Sequence, residues 1–237
     1  MLSKDEARIA GSRVQDRPRA KGAVGRIAEQ VRRLAAYRRA ARVLFTPSPL
    51  LHQARINALV DGKELLMPGQ RLREGFYLLR PYTVPFADLG HAVSYKGLAR
   101  HGQRLSMEEL AAVPVGLLLV DPLAVDAQGG FVGDGKGFVD LSVAILGELR
   151  ALASNAEVYG VGEEAQLLSR AIALDAWDVR LAGLVTPQGL LPCTGGNLAG
   201  GRVLWQELPE IRVRKITPLW KLWQKRHESV DRKAENG

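Results

Sequence analysis

The chain has 237 residues, 46% of them hydrophobic and 24% charged, with a formal net charge of +8 at pH 7. That is enough apolar material to order the bulk of the chain, and enough length for one large α/β domain or two small ones. A single cysteine, Cys193, excludes a disulfide framework and a Cys-rich zinc site, and the scattered His52, His91, His101 and His227 make no paired metal motif.

In chain order, Met1 to Glu6 is charged where a secretory signal needs an apolar core, which predicts a soluble, cytoplasmic protein. Residues 24–41 have Ile27, Val31, Leu34 and Ala35 on one stripe and predict an amphipathic helix. Val43-Leu44-Phe45 predicts a buried strand, and Ser48-Pro49 the cap and first turn of a second helix ending near Gly62. Strands follow at 64–67 and 76–79. Ser106 with Glu109 is a capping box for a short helix that Pro114 ends. The apolar run 113–120 is too short to span a bilayer, so no membrane contact is expected, and residues 116–120 predict a strand buried on both faces. A helix at 141–152, strands at 157–161 and 183–186, and a helical tail at 218–236 complete the pattern. Strands alternating with helices at this spacing predict an α/β domain with a mostly parallel sheet. Its expected divisions are a basic helical segment at 1–42, the α/β body at 43–210 and a basic tail at 211–237.

Charge is uneven along the chain. Residues 1–42 hold 12 basic and 4 acidic side chains, residues 211–237 hold 8 and 3, and the middle carries 13 against 18. Basic ends around an acidic body suit weak attraction to nucleic acid, or simply two solvated amphipathic helices. The stretch Gly133-Asp134-Gly135-Lys136-Gly137-Phe138-Val139-Asp140 lies between a strand and a helix. Glycines there admit backbone conformations closed to other residues and let a ligand approach the amides. Successive N–H groups and a helix N-terminus then suit phosphate, with Lys136 adding an ammonium. A tight strand-to-helix loop reads equally well from these glycines alone. Cys193, without a basic neighbour, reads as an inert thiol. Asp121 and Asp126 suit either metal binding or loop capping.

Together with its surroundings, the 133–140 run resembles the signature of the 5-formyltetrahydrofolate cyclo-ligase (methenyltetrahydrofolate synthetase) family, a Gly-x-Gly-x-Gly-aromatic-aromatic-Asp run after the central strand. Further matches follow the family's order. Lys4 and Arg8 have the spacing of its nucleotide-binding start, and 62–68 resembles the strand carrying a substrate-side proline. Residues 160–166 resemble its strand-then-Gln segment, and 174–179 with 183–187 its close. Departures are also clear. Leu141 stands where an Arg is common, Val139 replaces the second aromatic, and a folate-contacting Glu-Pro is absent from 97–102. The N-terminal helix, the 41–43 segment, Arg55 with Gly62-Lys63, Asp140-Leu141 and the 205–219 stretch resemble the paralogous cyclo-ligase domain-containing branch, for some members of which thiamin-related roles have been proposed.

The resemblance implies a single three-layer α/β domain, cyclo-ligase-like and NagB/RpiA/CoA-transferase-like. It also implies an ATP- and Mg²⁺-dependent enzyme that phosphorylates the formyl oxygen of 5-formyltetrahydrofolate and closes the ring to the 5,10-methenyl product. The alternatives are a related ATP-dependent reaction, a paralogue without cyclo-ligase activity, and a nucleic-acid-binding module. Lys136 and Asp140 are the implied catalytic pair. Lys4, Arg8, Gly133, Asp134, Gly135, Gly137 and Phe138 would bind ATP. Met67, Pro68, Gln166 and Trp177 would meet a reduced folate or related heterocycle, with core packing the other reading of Trp177. Asp140 and Asp178 would hold Mg²⁺. The expected assembly is a monomer or homodimer.

Overall fold

Val43, Leu44 and Phe45 are apolar on both sides of the pleat, and the fold places their strand inside a sheet covered on both faces. The computed structural model describes residues 1–16, 21–196, 198 and 201–235, with 229–235 by backbone alone. Helix α1 (Lys4–Gln15) opens the chain on a capping box of Ser3 and Glu6, the same signal that marks the helix after Ser106. Then come α2 (Ala23–Arg33), α3 (Ala35–Arg39), β1 (Arg42–Phe45), α4 (His52–Val60), β2 (Glu64–Pro68) and β3 (Phe76–Leu79). Short helices α5 (Leu89–Ala92) and α6 (Tyr95–His101) lead to β4 (Gln103–Arg104), α7 (Met107–Ala112) and β5 (Val115–Val120). The second half carries β6 (Ala124–Asp126), β7 (Phe131–Val132), α8 (Phe138–Glu148), β8 (Leu152–Val161), β9 (Leu167–Leu168), β10 (Gly183–Val185), β11 (Leu190–Pro192), α9 (Glu210–Lys215) and α10 (Thr217–Glu235).

The eight-stranded sheet has the order β11-β10-β8-β5-β1-β2-β3-β4. Its five inner strands, β10 to β2, run parallel, and antiparallel strands finish both edges. This is the mostly parallel α/β sheet expected from the alternation. Strand residues divide by parity between two apolar layers. Val43, Phe45, Leu65 and Met67 pack with Ile27, Val31, Leu51 and Leu59 of the α2–α4 side. Leu44, Leu66, Leu118 and Val120 pack with Val143, Ile145 and Leu146 of α8 and with Val213, Ile216 and Leu219 near the C-terminus. A small sheet, β7-β6-β9, lies under α1, with Ala7, Ala124, Val132 and Ile172 buried between them. Among the described residues no helix is long and apolar enough to cross a membrane.

Two predicted elements are redrawn. The single helix expected over 24–41 is broken at Leu34, whose backbone is extended (φ −59°, ψ 131°), so that α3 turns to bury Ala36 and Tyr37 before β1. The helix expected at 141–152 starts at Phe138 and stops at Glu148. Arg150, at φ 53°, closes it, the Ala151 amide caps the Leu146 carbonyl, and Leu152, the first residue of β8, already pairs with Val115 of β5. Apolar residues there serve a strand rather than another helical turn.

Candidate active site

In an open α/β sheet, ligands bind beyond the carboxyl ends of the strands, where successive connections leave a strand in opposite directions. Here the chain goes from β1 to β2 on one side and later returns to β5 on the other. A cavity of about 880 Å³ opens beyond these strand ends, lined by Thr46 and Ser48 after β1, Asp121 after β5, and Pro68 and Gly69 at the end of β2. The Ser48 hydroxyl donates to the Asp121 carboxylate and accepts the Leu50 amide at 3.1 Å, so one side chain caps a helical turn and ties two strand ends together. Arg71 and Leu72 on the same wall each hold φ 55°, strained backbone for residues with a Cβ.

The loop 133–137 forms the facing wall, between β7 and α8. Gly135 (φ 80°) and Gly137 (φ 64°) occupy the left-handed region. Gly137 is the N-cap of α8 and offers no side chain to its first amides, which leaves them for another acceptor. A Cβ on Gly133 would project into open space, whereas one on Gly135 would press on the Arg8 guanidinium at 3.4 Å. Arg8 therefore lies against the loop. It pairs with Asp5 at 2.5 Å, and its Nε is buried with no hydrogen-bond partner. Asp134 accepts the Lys136 amide at 3.0 Å and the Lys136 ammonium at 2.7 Å. Burial would raise the Asp134 pKa, but these bonds and the Lys136 and Arg8 charges outweigh it and hold the carboxyl below its ordinary range. Arg212, from α9, donates to the Lys136 carbonyl, so the C-terminal segment also braces the loop.

Asp140, in the first turn of α8, lines the cavity and accepts the Val179 amide at 3.0 Å. Burial pushes its pKa up, with the nearby Asp178 charge acting the same way. Lys4 bridges Asp175 (2.6 Å) and Asp178 (2.5 Å) and sits 5.9 Å from the centroid of the Trp177 ring. Burial opposes the Lys4 charge, yet the two carboxylates prevail and raise its pKa. Trp177 is 44% exposed and lines the cavity, so its ring is not core packing. Phe138 and Pro68 line it as well.

Two of the expected substrate contacts lie elsewhere. Met67 is fully buried in the apolar layer on the α2–α4 side, because strand parity turns it there. Gln166 is buried, donates to the Pro122 carbonyl at 2.5 Å and the Leu123 carbonyl at 3.2 Å, and accepts the Glu163 amide at 2.7 Å. It clamps the loop after β5 and does not line the cavity. Asp126 resolves as a loop cap, accepting the Gln128, Gly130 and Ile172 amides. Burial pushes the half-buried Cys193 thiol up. Sequence reading missed Arg212 and the Ser48–Asp121 link. No local signal marks either, since Arg212 meets residue 136 and Ser48 meets residue 121 only through the fold. Many of the basic side chains at the chain ends are also engaged internally: Arg32 with Asp61, Arg39 with Glu157, Arg42 with Glu64 and Arg214 with Glu210.

A model of the 5-formyltetrahydrofolate cyclo-ligase family matches residues 8–187, a span that contains Arg8, the glycine loop, Asp140 and Asp178 and leaves out Lys4 and Arg212. A methenyltetrahydrofolate synthase domain-containing protein of Bos taurus is 27% identical over 196 residues, covering 81% of this chain and 50% of the relative. One of Danio rerio is 24% identical over 208 residues, covering 86% and 54%. The chain thus spans about half the length of these curated relatives. Among solved structures, the Aquifex aeolicus 5,10-methenyltetrahydrofolate synthetase aligns with a TM-score of 0.55 at 21% identity, over 85% of this chain and 95% of that one. The Mycoplasma pneumoniae 5,10-methenyltetrahydrofolate synthetase aligns with a TM-score of 0.50 at 11% identity, over 78% and 98%. At these identities the structural likeness bears on the fold alone.

Proposed function

The chain belongs to the 5-formyltetrahydrofolate cyclo-ligase family, and from that premise we propose that it binds Mg-ATP and transfers a phosphoryl group to an oxygen of a reduced folate or related heterocycle. The observation that carries this reading is the glycine loop, which with the first turn of α8 lines a cavity also lined by Arg8, Lys136 and Arg212. Phosphoryl transfer rests on positioning and charge neutralisation, and no side-chain nucleophile is needed. The residues fit the nucleotide: Gly133 leaves space for a close approach, and the buried Arg8 Nε lacks an acceptor that a phosphate oxygen would supply. They also fit Mg²⁺. Among the described residues no three His, Cys, Asp or Glu form a cage, and Mg²⁺ characteristically takes one or two carboxylates with phosphate oxygens. Asp140 and Asp178 would hold it, and the bound ion supplies charge neutralisation at the phosphates.

The chain's own groups divide the remaining work. Loop amides, Lys136 and Arg8 hold and orient the triphosphate, while Lys4 positions Asp178 through their ion pair. Trp177, Phe138 and Pro68 offer flat apolar surface for a heterocycle. A second reading, a paralogue that binds nucleotide and turns over a different heterocycle, is favoured by Leu141. It packs into the apolar layer at 8% exposure in the place where an Arg is common in the family. The deciding experiment mixes protein, Mg-ATP and 5-formyltetrahydrofolate and follows methenyltetrahydrofolate absorbance. Turnover of about 1 s⁻¹ or faster supports cyclo-ligase activity. ATP binding without an absorbance change supports the paralogue, and absence of ATP binding refutes both.

A further inference from the structure

Arg55, in the middle of α4, is 3% exposed. Its Nη1 donates to the Thr46 carbonyl at 2.8 Å, and its Nε is buried with no hydrogen-bond partner. The contrast with Arg42, equally buried, is informative: Arg42 pairs with Glu64 at 2.8 Å and donates to two carbonyls. Among the described residues no carboxylate pairs with Arg55, and the neighbouring Tyr95 is a neutral phenol whose pKa burial raises. Burial accordingly pulls its pKa down to about 10. An uncompensated buried cation is destabilising, and a single bond to Thr46 needs only one of the five guanidinium donors.

The side chain lines a second cavity of about 500 Å³ together with Val24, Pro47, His52, Ser94 and Tyr95. Pro47 and Tyr95 also line the main cavity, so the two spaces share a wall. The Ser94 and His52 side chains beside Arg55 are engaged. The Ser94 hydroxyl donates to the His91 carbonyl and accepts the Gly97 amide, and His52 Nε2 contacts the Gly90 carbonyl at 2.9 Å. Among the described residues no second Arg or Lys lines this cavity. One guanidinium fork, a single positive charge in a mostly apolar recess, matches a planar monoanion better than a phosphate dianion.

We propose that the second cavity is a carboxylate subsite, in which the Arg55 guanidinium pairs with a carboxylate carried by the ligand whose body occupies the main cavity. This rests on the main cavity being the substrate site. The nucleotide wall, built on Arg8 and Lys136, lies on other elements, so the two assignments can be tested apart. The probe is benzoate, with inorganic phosphate and Mg-ATP in parallel, read by thermal unfolding and by saturation-transfer NMR on wild type, Arg55→Met, Arg55→Gln and Lys136→Ala. Without ligand, Arg55→Met should unfold at a higher temperature than wild type, because the unpaired buried charge is gone. Benzoate should raise the wild-type midpoint and bind either Arg55 variant about tenfold more weakly or worse. Mg-ATP should still stabilise both Arg55 variants and should act less on Lys136→Ala. Equal benzoate binding by wild type and both Arg55 variants overturns the proposal, as does no binding by wild type. A phosphate response that needs Arg55, with no benzoate response, overturns the carboxylate assignment. A benzoate response that needs Arg55, in a protein that ignores Mg-ATP, upholds the subsite and refutes the nucleotide reading.

Discussion

Removing the Asp126 carboxylate should loosen the frame on which the glycine loop stands. The side chain is 2% exposed, and its oxygens accept three backbone donors: Gln128 at 2.8 Å, Gly130 at 2.9 Å and Ile172 at 2.7 Å. The first two shape the turn between β6 and β7, and the third ties that turn to the segment paired with Leu2 just before α1. Asp126→Ala orphans all three amides at once. Each unsatisfied buried donor costs about 1–3 kcal/mol, and partial hydration of the vacated space reduces the sum, so a loss of about 3–5 kcal/mol is expected. Against a typical total of about 5–15 kcal/mol, that lowers the unfolding midpoint by about 10 °C or more. Asp126→Asn keeps one acceptor but presents an NH₂ to a donor, and should fall in between. Urea titration followed by far-UV circular dichroism measures both. A loss below about 1 kcal/mol for Asp126→Ala would refute the reasoning.

Three other consequences are open to direct measurement. Lys136→Ala should weaken Mg-ATP binding by about 1–3 kcal/mol, the range for a hydrogen bond to a charged group, and titration calorimetry reads it. Gly97→Ala would set a Cβ 1.9 Å from the His91 carbonyl oxygen, which is backbone and cannot swing away, so a loss of about 3 kcal/mol or insoluble protein is expected in expression and melting assays. Asp61 accepts Arg32 Nε and Nη2, each at 2.8 Å, and the Tyr37 hydroxyl at 2.7 Å. Burial opposes its charge, but these partners prevail and lower its pKa from the ordinary 3.8. Its stabilising contribution is therefore complete above the unfolded-state value and fades as pH falls through the lower folded-state value. Asp61→Asn should cost about 1 kcal/mol at pH 7 for this solvent-screened pair, and the gap to wild type should close in melts toward pH 3.

What could be read from the chain was what its local chemistry determines. Runs such as Val43 to Phe45 and Gly116 to Val120 have no polar face, so they had to be interior strands, and the parallel sheet followed. The Ser106–Glu109 capping box forms as the spacing predicts, because both of its bonds close within one turn. The strand-to-helix place of the 133–137 loop was equally legible. Boundaries set by competition between elements were not: Leu34 suits a helix by periodicity, yet an extended residue there is what lets Ala36 and Tyr37 reach the core. The same holds for every side chain whose partner is remote in sequence. Strand parity turned Met67 away from the cavity, Gln166 became a clamp under the β5 loop, and Lys4 met Asp175 and Asp178 across the whole domain. Nothing in the local sequence around Arg55 tells that its side chain is buried. Its burial, with no carboxylate partner among the described residues, arises because α4 is pressed against the sheet at the end of β1, and only packing decides which charges are left facing a cavity.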